Sequence, residues 1–268
     1  MAAEEYHRIP AILREGVSPH EVPRFFHLLG RFQRAVIKKW FESIVECDVD
    51  TVKLYHSSFA LCVDLPIPRK LAKEILSTNT EMFEGATGLI LAALVDAVSV
   101  ATYLVENGAV IEEMTGFGMD TALMVAGRRG NIGMVRYLCS VGADVNTTTR
   151  QSEAYSNTEA PVAFEALIRK QTEVLEYLAY FGADLYEDGP RNMSGDVVSV
   201  VRCCLMEGRF GMEAMESGLK RRFDLIKSCL SKLVPSDIDI VQNVAVVICD
   251  KFLNPLYPPY LKELMEDE

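Results

Sequence analysis

The sequence predicts an all-α solenoid, a stack of short helix pairs joined by hairpin fingers, and two repeating landmarks predict it. A Tyr-Leu pair followed by a Gly-Ala pair begins at Tyr103, Tyr137 and Tyr177, with spacings of 34 and 40 residues. A Thr-x-Leu-x-x-Ala hexapeptide begins at Thr87 and Thr121, again 34 residues apart. A period of this length is typical of stacked units that cannot bury their apolar faces alone.

The central copy shows how one unit is built. The Thr121 hydroxyl can cap the first free amides of a short helix over residues 122–129, which Gly130 then ends. A second helix starts near Ile132, and its apolar residues fall on one stripe. Gly142 is expected to end that helix in the left-handed region, where a side chain would cost energy. The turn-prone residues that follow form the finger.

These residues resemble the ankyrin repeat. The hexapeptide at Thr121 stands where that family has Thr-Pro-Leu-His-x-Ala, and Gly142-Ala143-Asp144-Val145-Asn146 matches the family's helix exit and hairpin start. No copy keeps the family's His. The resemblance is strongest over residues 87–186 and implies an ankyrin-type fold. It also implies a protein partner that binds the fingers and first helices.

The repeats divide the chain into four expected segments. Residues 1–17 carry little pattern and are expected to be mobile, and residues 18–83 form an N-terminal helical cap with an atypical first repeat. Residues 84–188 hold three ankyrin-like repeats, and residues 189–268 form a C-terminal helical cap. The helical caps at both ends are expected to depart from the repeat pattern. The C-terminal cap is either a set of degenerate repeats or a separate small helical domain.

Local patterns predict the elements of the two caps. The capping box at Ser18 predicts a long helix to about Glu46, adjusted at Pro23 and Gly30, and Cys47-Asp48 separates a helix pair. A short helix over residues 69–76 is inserted before the clear repeats. The C-terminal cap is predicted to be helical over residues 197–205, 212–219, 222–233 and 238–253.

Composition limits the classes of partner. A net charge of −11 argues against general nucleic-acid binding and favours a partner with a basic surface. The most apolar run, residues 86–105, contains Asp96 and a helix break, so no membrane span is expected. The seven cysteines lack a paired spacing and the start lacks a secretory pattern, which together predict a cytoplasmic or nuclear protein.

The sequence predicts neither catalysis nor a cofactor. All four histidines precede residue 57, and none has the spacing of a metal site, so no metal and no catalytic residue is expected. A non-enzymatic interaction module or scaffold is the favoured interpretation. An inhibitory or regulatory subunit of one enzyme is the alternative, and an enzyme with a hidden site is less favoured.

The candidate partner-binding residues lie at fingers, at ends of first helices and in the long polar loop 147–159. They are Glu113, Met114, Phe117, Met119, Arg128, Arg129, Arg150, Tyr155, Phe164 and Tyr186. Phe117 beside arginines resembles an interface hot spot, although it could equally pack onto its own hairpin. A basic helical stripe is either solvated or a second contact with an acidic surface; it comprises Arg24, Arg31, Arg34 and Lys38.

Overall fold

A computed structural model describes residues 29–76, 83–115, 120–149, 160–185, 200 and 210–233. These residues form ten α-helices and two strands of two residues each, so the predicted all-α class is confirmed. The chain divides into two compact units, Met1–Gln151 and Ser152–Glu268.

The described residues of the first unit form three helix pairs, one inserted helix and a short strand. Each first helix packs on the first helix of the next pair, and each second helix packs on the next second helix. The inserted helix, α3, packs on α1. The elements are α1 Arg31–Val45, α2 Val49–Phe59, α3 Arg69–Leu76, α4 Gly88–Leu94, α5 Val98–Glu106, α6 Ala122–Arg129, α7 Ile132–Ser140 and β1 Thr148–Thr149.

In the second unit, the described residues form one helix pair, a short strand and a long third helix. Its elements are β2 Ala160–Pro161, α8 Val162–Ile168, α9 Thr172–Phe181 and α10 Met212–Leu233. The sequence predicted a break inside residues 212–233, but α10 is continuous, because the Lys and Arg residues at the expected break are good helix formers. Gly218 lets α10 approach α9 closely, since a Cβ there would overlap the carbonyl oxygen of Glu176. Apart from Val200, the predicted helices 197–205 and 238–253 lie outside the described residues.

One backbone turn recurs inside all four helix pairs. A residue with left-handed φ separates the two helices, and these residues are Cys47, Asp96, Gly130 and Lys170. The amide after each of them donates to a carbonyl five residues earlier: Asp48 to Ser43 at 2.9 Å, Ala97 to Ala92 at 2.9 Å, Asn131 to Ala126 at 3.0 Å and Gln171 to Ala166 at 2.8 Å. Such a bond satisfies a helix-end carbonyl and ends the first helix.

The same bond explains the Tyr-Leu and Gly-Ala landmark at the end of the second helices. Gly108, Gly142 and Gly182 have φ values of 92°, 95° and 94°. The alanine after each glycine donates its amide to the leucine carbonyl five residues earlier, at 3.0, 3.0 and 2.8 Å. The leucine side chain is buried in every copy. The Gly-Ala pair of the landmark therefore ends the second helix, and the leucine of the Tyr-Leu pair packs in the core.

Apolar side chains fill the position where the ankyrin family has its histidine. Ile90, Met124 and Phe164 occupy that position, and all three are buried. Two polar bonds join neighbouring pairs of the first unit instead. The Asn131 side-chain amide donates to the Ala93 carbonyl at 2.8 Å, and an Asp96 carboxylate oxygen accepts from the Met134 amide at 3.0 Å.

The first described helix begins later than the sequence predicted. Gly30 is extended, with φ −65° and ψ 164°, and it caps α1 while its own amide donates to the Gln33 side chain at 3.0 Å. The expected helix that would run on from Ser18 is therefore interrupted at Gly30. The expectations for residues 1–17 and 18–28 lie outside the described residues.

We predict that truncating the leucine of each Tyr-Leu pair leaves a cavity in the core and lowers the free energy of unfolding by a similar amount in each repeat. Leu138→Ala should lower the free energy of unfolding by about 2 to 5 kcal/mol, because the side chain is fully buried. Leu104→Ala and Leu178→Ala should behave alike. Urea unfolding measures the effect, with Leu54→Ala as the exposed control. Near-neutral results at all three leucines would contradict the repeat register.

We also predict opposite effects of substitutions at equivalent turns. Gly130→Ala should cost about 1 kcal/mol, because a Cβ is strained at left-handed φ. Cys47→Gly should raise the free energy of unfolding by up to about 1 kcal/mol, since the strain it relieves outweighs the added freedom of the unfolded chain. Thermal and urea unfolding of both variants test this. Effects of the same sign would show that the two turns are not equivalent.

Candidate protein-binding surface

The first helices of the repeats offer little surface to a partner. Residues 88–93 of α4, 122–127 of α6 and 162–167 of α8 are buried without interruption. Phe164, which the sequence analysis placed on the partner face, lies in the core of the second unit with 0% of its surface exposed. Burial thus removes Phe164 and most of the first-helix face from the candidate surface.

The base of the first finger is held by a buried ion pair. Thr115 and Asp120 face each other: the Thr115 amide donates to the Asp120 carbonyl at 3.0 Å, and the Asp120 amide donates to the Thr115 hydroxyl at 3.2 Å. The Arg128 guanidinium meets both Asp120 carboxylate oxygens at 2.9 Å. The two side chains are only 10% and 3% exposed. Arg128 therefore supports the finger from below rather than presenting its charge to a partner.

In the described part of the fingers, the outer side combines acidic groups with the exposed side chain of Val110. Val110 is 49% exposed. Glu112 and Asp144 are exposed beside it, whereas Glu113 and Met114 are half-buried. We name these five residues the finger surface. An oxygen of the Glu112 carboxylate accepts from the Asp144 amide at 2.8 Å, so the two fingers are joined.

Asp64 fixes the start of the first finger. Its two carboxylate oxygens accept from the Val110 amide at 3.1 and 3.2 Å. Burial raises the pKa of Asp64, and the hydrogen bond from Val110 opposes that rise. The backbone at Val110 is thereby held in place while its side chain remains exposed.

The other predicted contact residues are dispersed or lie outside the described part. Arg129 is exposed, but it lies at the opposite end of α6 from the finger, about 12 Å away at 1.5 Å per helical residue. Phe117, Met119, Arg150, Tyr155 and Tyr186 lie outside the described residues, as does Arg24 of the basic stripe. The structure therefore brings together Glu113 and Met114 of the predicted set.

The described part of the basic stripe is tied to α3. Arg31 and Arg34 are exposed, and the Arg34 side chain donates to the Leu29 carbonyl at 2.9 Å. The Lys38 ammonium lies 3.2 Å from a Glu74 carboxylate oxygen on α3 and 3.8 Å from Glu42. Lys38 thus already has acidic neighbours within its own unit.

Sequence reasoning missed three members of this surface. Val110, Glu112 and Asp144 were not proposed as contacts. A signal for Val110 was present, because it is the residue after Gly-Ala, where the other two copies have Asp144 and Asp184. The repeats stack with an acidic residue at this position in the other two copies, so stacking does not require the apolar side chain of Val110. Its presence is therefore a signal for a contact with a partner.

The reactive side chains near the repeats are structurally engaged. Burial raises the pKa of the Cys139 thiol to about 12, and it also raises the pKa of Cys62. Burial lowers the pKa of His56, whose ring nitrogen Nδ1 lies 2.7 Å from the Tyr103 hydroxyl oxygen.

Over the described ranges, no group of three or more His, Cys, Asp or Glu residues is placed to hold a metal ion. None of the helices described there is long and apolar enough to cross a membrane.

The comparisons with known proteins agree with the helix pairs and their turns. The family model for ankyrin repeats (3 copies) matches residues 59–149, which include the pairs α4–α5 and α6–α7. The third copy predicted from the sequence, over residues 160–186, lies beyond that match. No curated protein matches the chain. Ankyrin repeats are generally protein-protein interaction modules. Residues 59–149 of this chain are ankyrin repeats, as the sequence resemblance predicted.

Proposed function

We propose that the protein is a non-enzymatic interaction module whose finger surface binds a protein segment with basic side chains around an apolar residue. The observation that carries this proposal is the exposure of Val110 among carboxylates, on a backbone that Asp64 holds in place. A fixed apolar contact loses little conformational entropy on binding, which favours affinity. Because the first helices are buried, the proposed partner face is narrower than the sequence analysis expected and includes the fingers alone.

Charge supports a basic partner. Glu112 and Glu113 follow Val110 closely in the first finger, Glu112 accepts from the Asp144 amide of the second finger, and the chain carries a net charge of −11. Such a field speeds encounter with a cationic segment and disfavours an anionic one. The apolar centre adds contact area that salt does not screen.

The cysteines support a reducing location. Cys47, Cys62, Cys139 and Cys229 are free thiols. Free thiols persist in the cytoplasm and nucleus, where disulfides are rare. We therefore propose that the module acts in one of these compartments.

A defined peptide pair tests the finger surface. One short labelled peptide has lysines on both sides of a central leucine, and the other replaces every lysine with glutamate. We predict that the intact protein binds the lysine peptide, and that Val110→Ser with Glu113→Gln weakens binding about tenfold. Fluorescence anisotropy at low and moderate salt measures the affinities.

The control is Leu54→Ser, since Leu54 is 59% exposed and belongs to α2 rather than to the finger surface. It should leave the affinity unchanged, and all variants should keep the wild-type melting temperature. If the Val110 and Glu113 substitutions weakened binding of the glutamate peptide as much as binding of the lysine peptide, or if the Leu54 variant showed an equal loss, the proposal would be contradicted.

A further inference from the structure

We propose that the first unit carries a second interaction surface, opposite in charge to the fingers, that binds an acidic peptide segment. This basic face is formed by α1 and the inserted helix α3. It consists of Arg31, Arg34, Lys38, Arg69, Lys70 and Lys73. The proposal is independent of the finger surface, because it uses different residues and a partner of the opposite charge.

The inserted helix is an addition to the repeat. The turn residues Cys47 and Asp96 are 49 residues apart, whereas Asp96 and Gly130 are 34 apart. The longer spacing accommodates α3, whose Leu71 and Ala72 are its buried residues. The apolar side of α3 is therefore sufficient for packing, and packing does not explain the cations on its other side.

The exposed side of α3 is cationic. Arg69, Lys70 and Lys73 are exposed and fall within about 100° on a helical wheel. Leu71 and Ala72 lie on the other side of the same helix. The three cations thus project together from one side of the insertion.

The cations of α1 join this side. The ion pair of Lys38 with Glu74, at 3.2 Å, brings the stripe on α1 next to α3. Lys38 is also near Glu42, and Arg69 lies 3.8 Å from Glu84.

Part of the positive charge is left over after these pairings. Across the described ranges, no ion pair or hydrogen bond engages the side chains of Arg31, Lys70 or Lys73. Three cations are therefore available on a face where Lys38 and Arg69 already have carboxylate neighbours and Arg34 donates to a backbone carbonyl.

The charge pattern favours a short acidic peptide over a larger polyanion. Carboxylates interrupt the basic face at Glu42, Glu74 and Glu84, and the whole chain has a net charge of −11. A nucleic acid or an anionic membrane extends beyond the patch and meets that negative charge. A short peptide stays within about one Debye length, ~10 Å, of the cations.

An exposed aromatic ring provides an apolar contact beside the charges. Phe32 follows Arg31 on α1, and it is 40% exposed. Its ring meets Phe59 edge to face, with the ring centroids 6.0 Å apart, so its position is supported from α2. An acidic segment with one apolar residue fits this combination of cations and ring.

The test uses the intact protein and a short labelled peptide with glutamates around one central leucine. We expect measurable binding that weakens as NaCl rises from about 50 to about 200 mM. Lys70→Glu with Lys73→Glu should weaken binding about tenfold or more. Two cations that attract the peptide are replaced by carboxylates that repel its glutamates. Lys53→Glu with Arg136→Glu makes the same change in net charge on α2 and α7 of the same unit, at exposed positions outside the basic face, and should have a much smaller effect.

The melting temperatures of the variants show whether they fold. If the α3 double variant is unstable, Arg31→Glu on α1 is the second variant, and it should also weaken binding. Unchanged affinity in folded basic-face variants, or an equal loss in the control pair, would overturn the proposal. So would failure of the glutamate peptide to bind while phosphatidylserine vesicles or single-stranded DNA bind through Lys70 and Lys73.

Discussion

The structure depends on a backbone hydrogen bond that closes each helix pair. It joins an amide just after a left-handed residue to a carbonyl five residues earlier, and it recurs after Cys47, Asp96, Gly130 and Lys170. Because only main-chain atoms form the bond, four different residue types, Cys, Asp, Gly and Lys, occupy the same turn. The helix pairs can therefore keep one geometry while their sequences diverge, at the cost of strain where the residue is not glycine.

Apolar packing takes the place of the ankyrin histidine. The buried side chains of Ile90, Met124 and Phe164 fill its position in the first helices. Bonds from Asn131 and Asp96 add polar links between pairs of the first unit. The first helices of the repeats are committed to packing, whereas the finger surface and the basic face of α1 and α3 lie at the surface of the first unit. These are the two surfaces for which we propose opposite partners.

The bounds of the helices could be predicted from the sequence wherever a capping residue or a helix-breaking residue marks the end of a helix. The bounds of α3 and α6 match the predicted ranges, because Pro68 marks the start of α3, and Thr121 and Gly130 mark the two ends of α6. Burial was harder to predict. Phe164 and Arg128 were expected at a surface, but Phe164 packs in a core, and Arg128 pairs with Asp120 eight residues earlier. Such contacts depend on how a finger folds back on its helix, which no local pattern encodes.

Hydrogen exchange of the intact protein, with and without the lysine peptide, tests the account most directly. The amides of Ala97 and Asn131 should be strongly protected in both states, because they close the helix pairs. Added protection on peptide binding should be confined to residues 110–115 and 144–149. Rapid exchange at the turn amides, or peptide-induced changes along α5 and α7 instead of the fingers, would contradict the account.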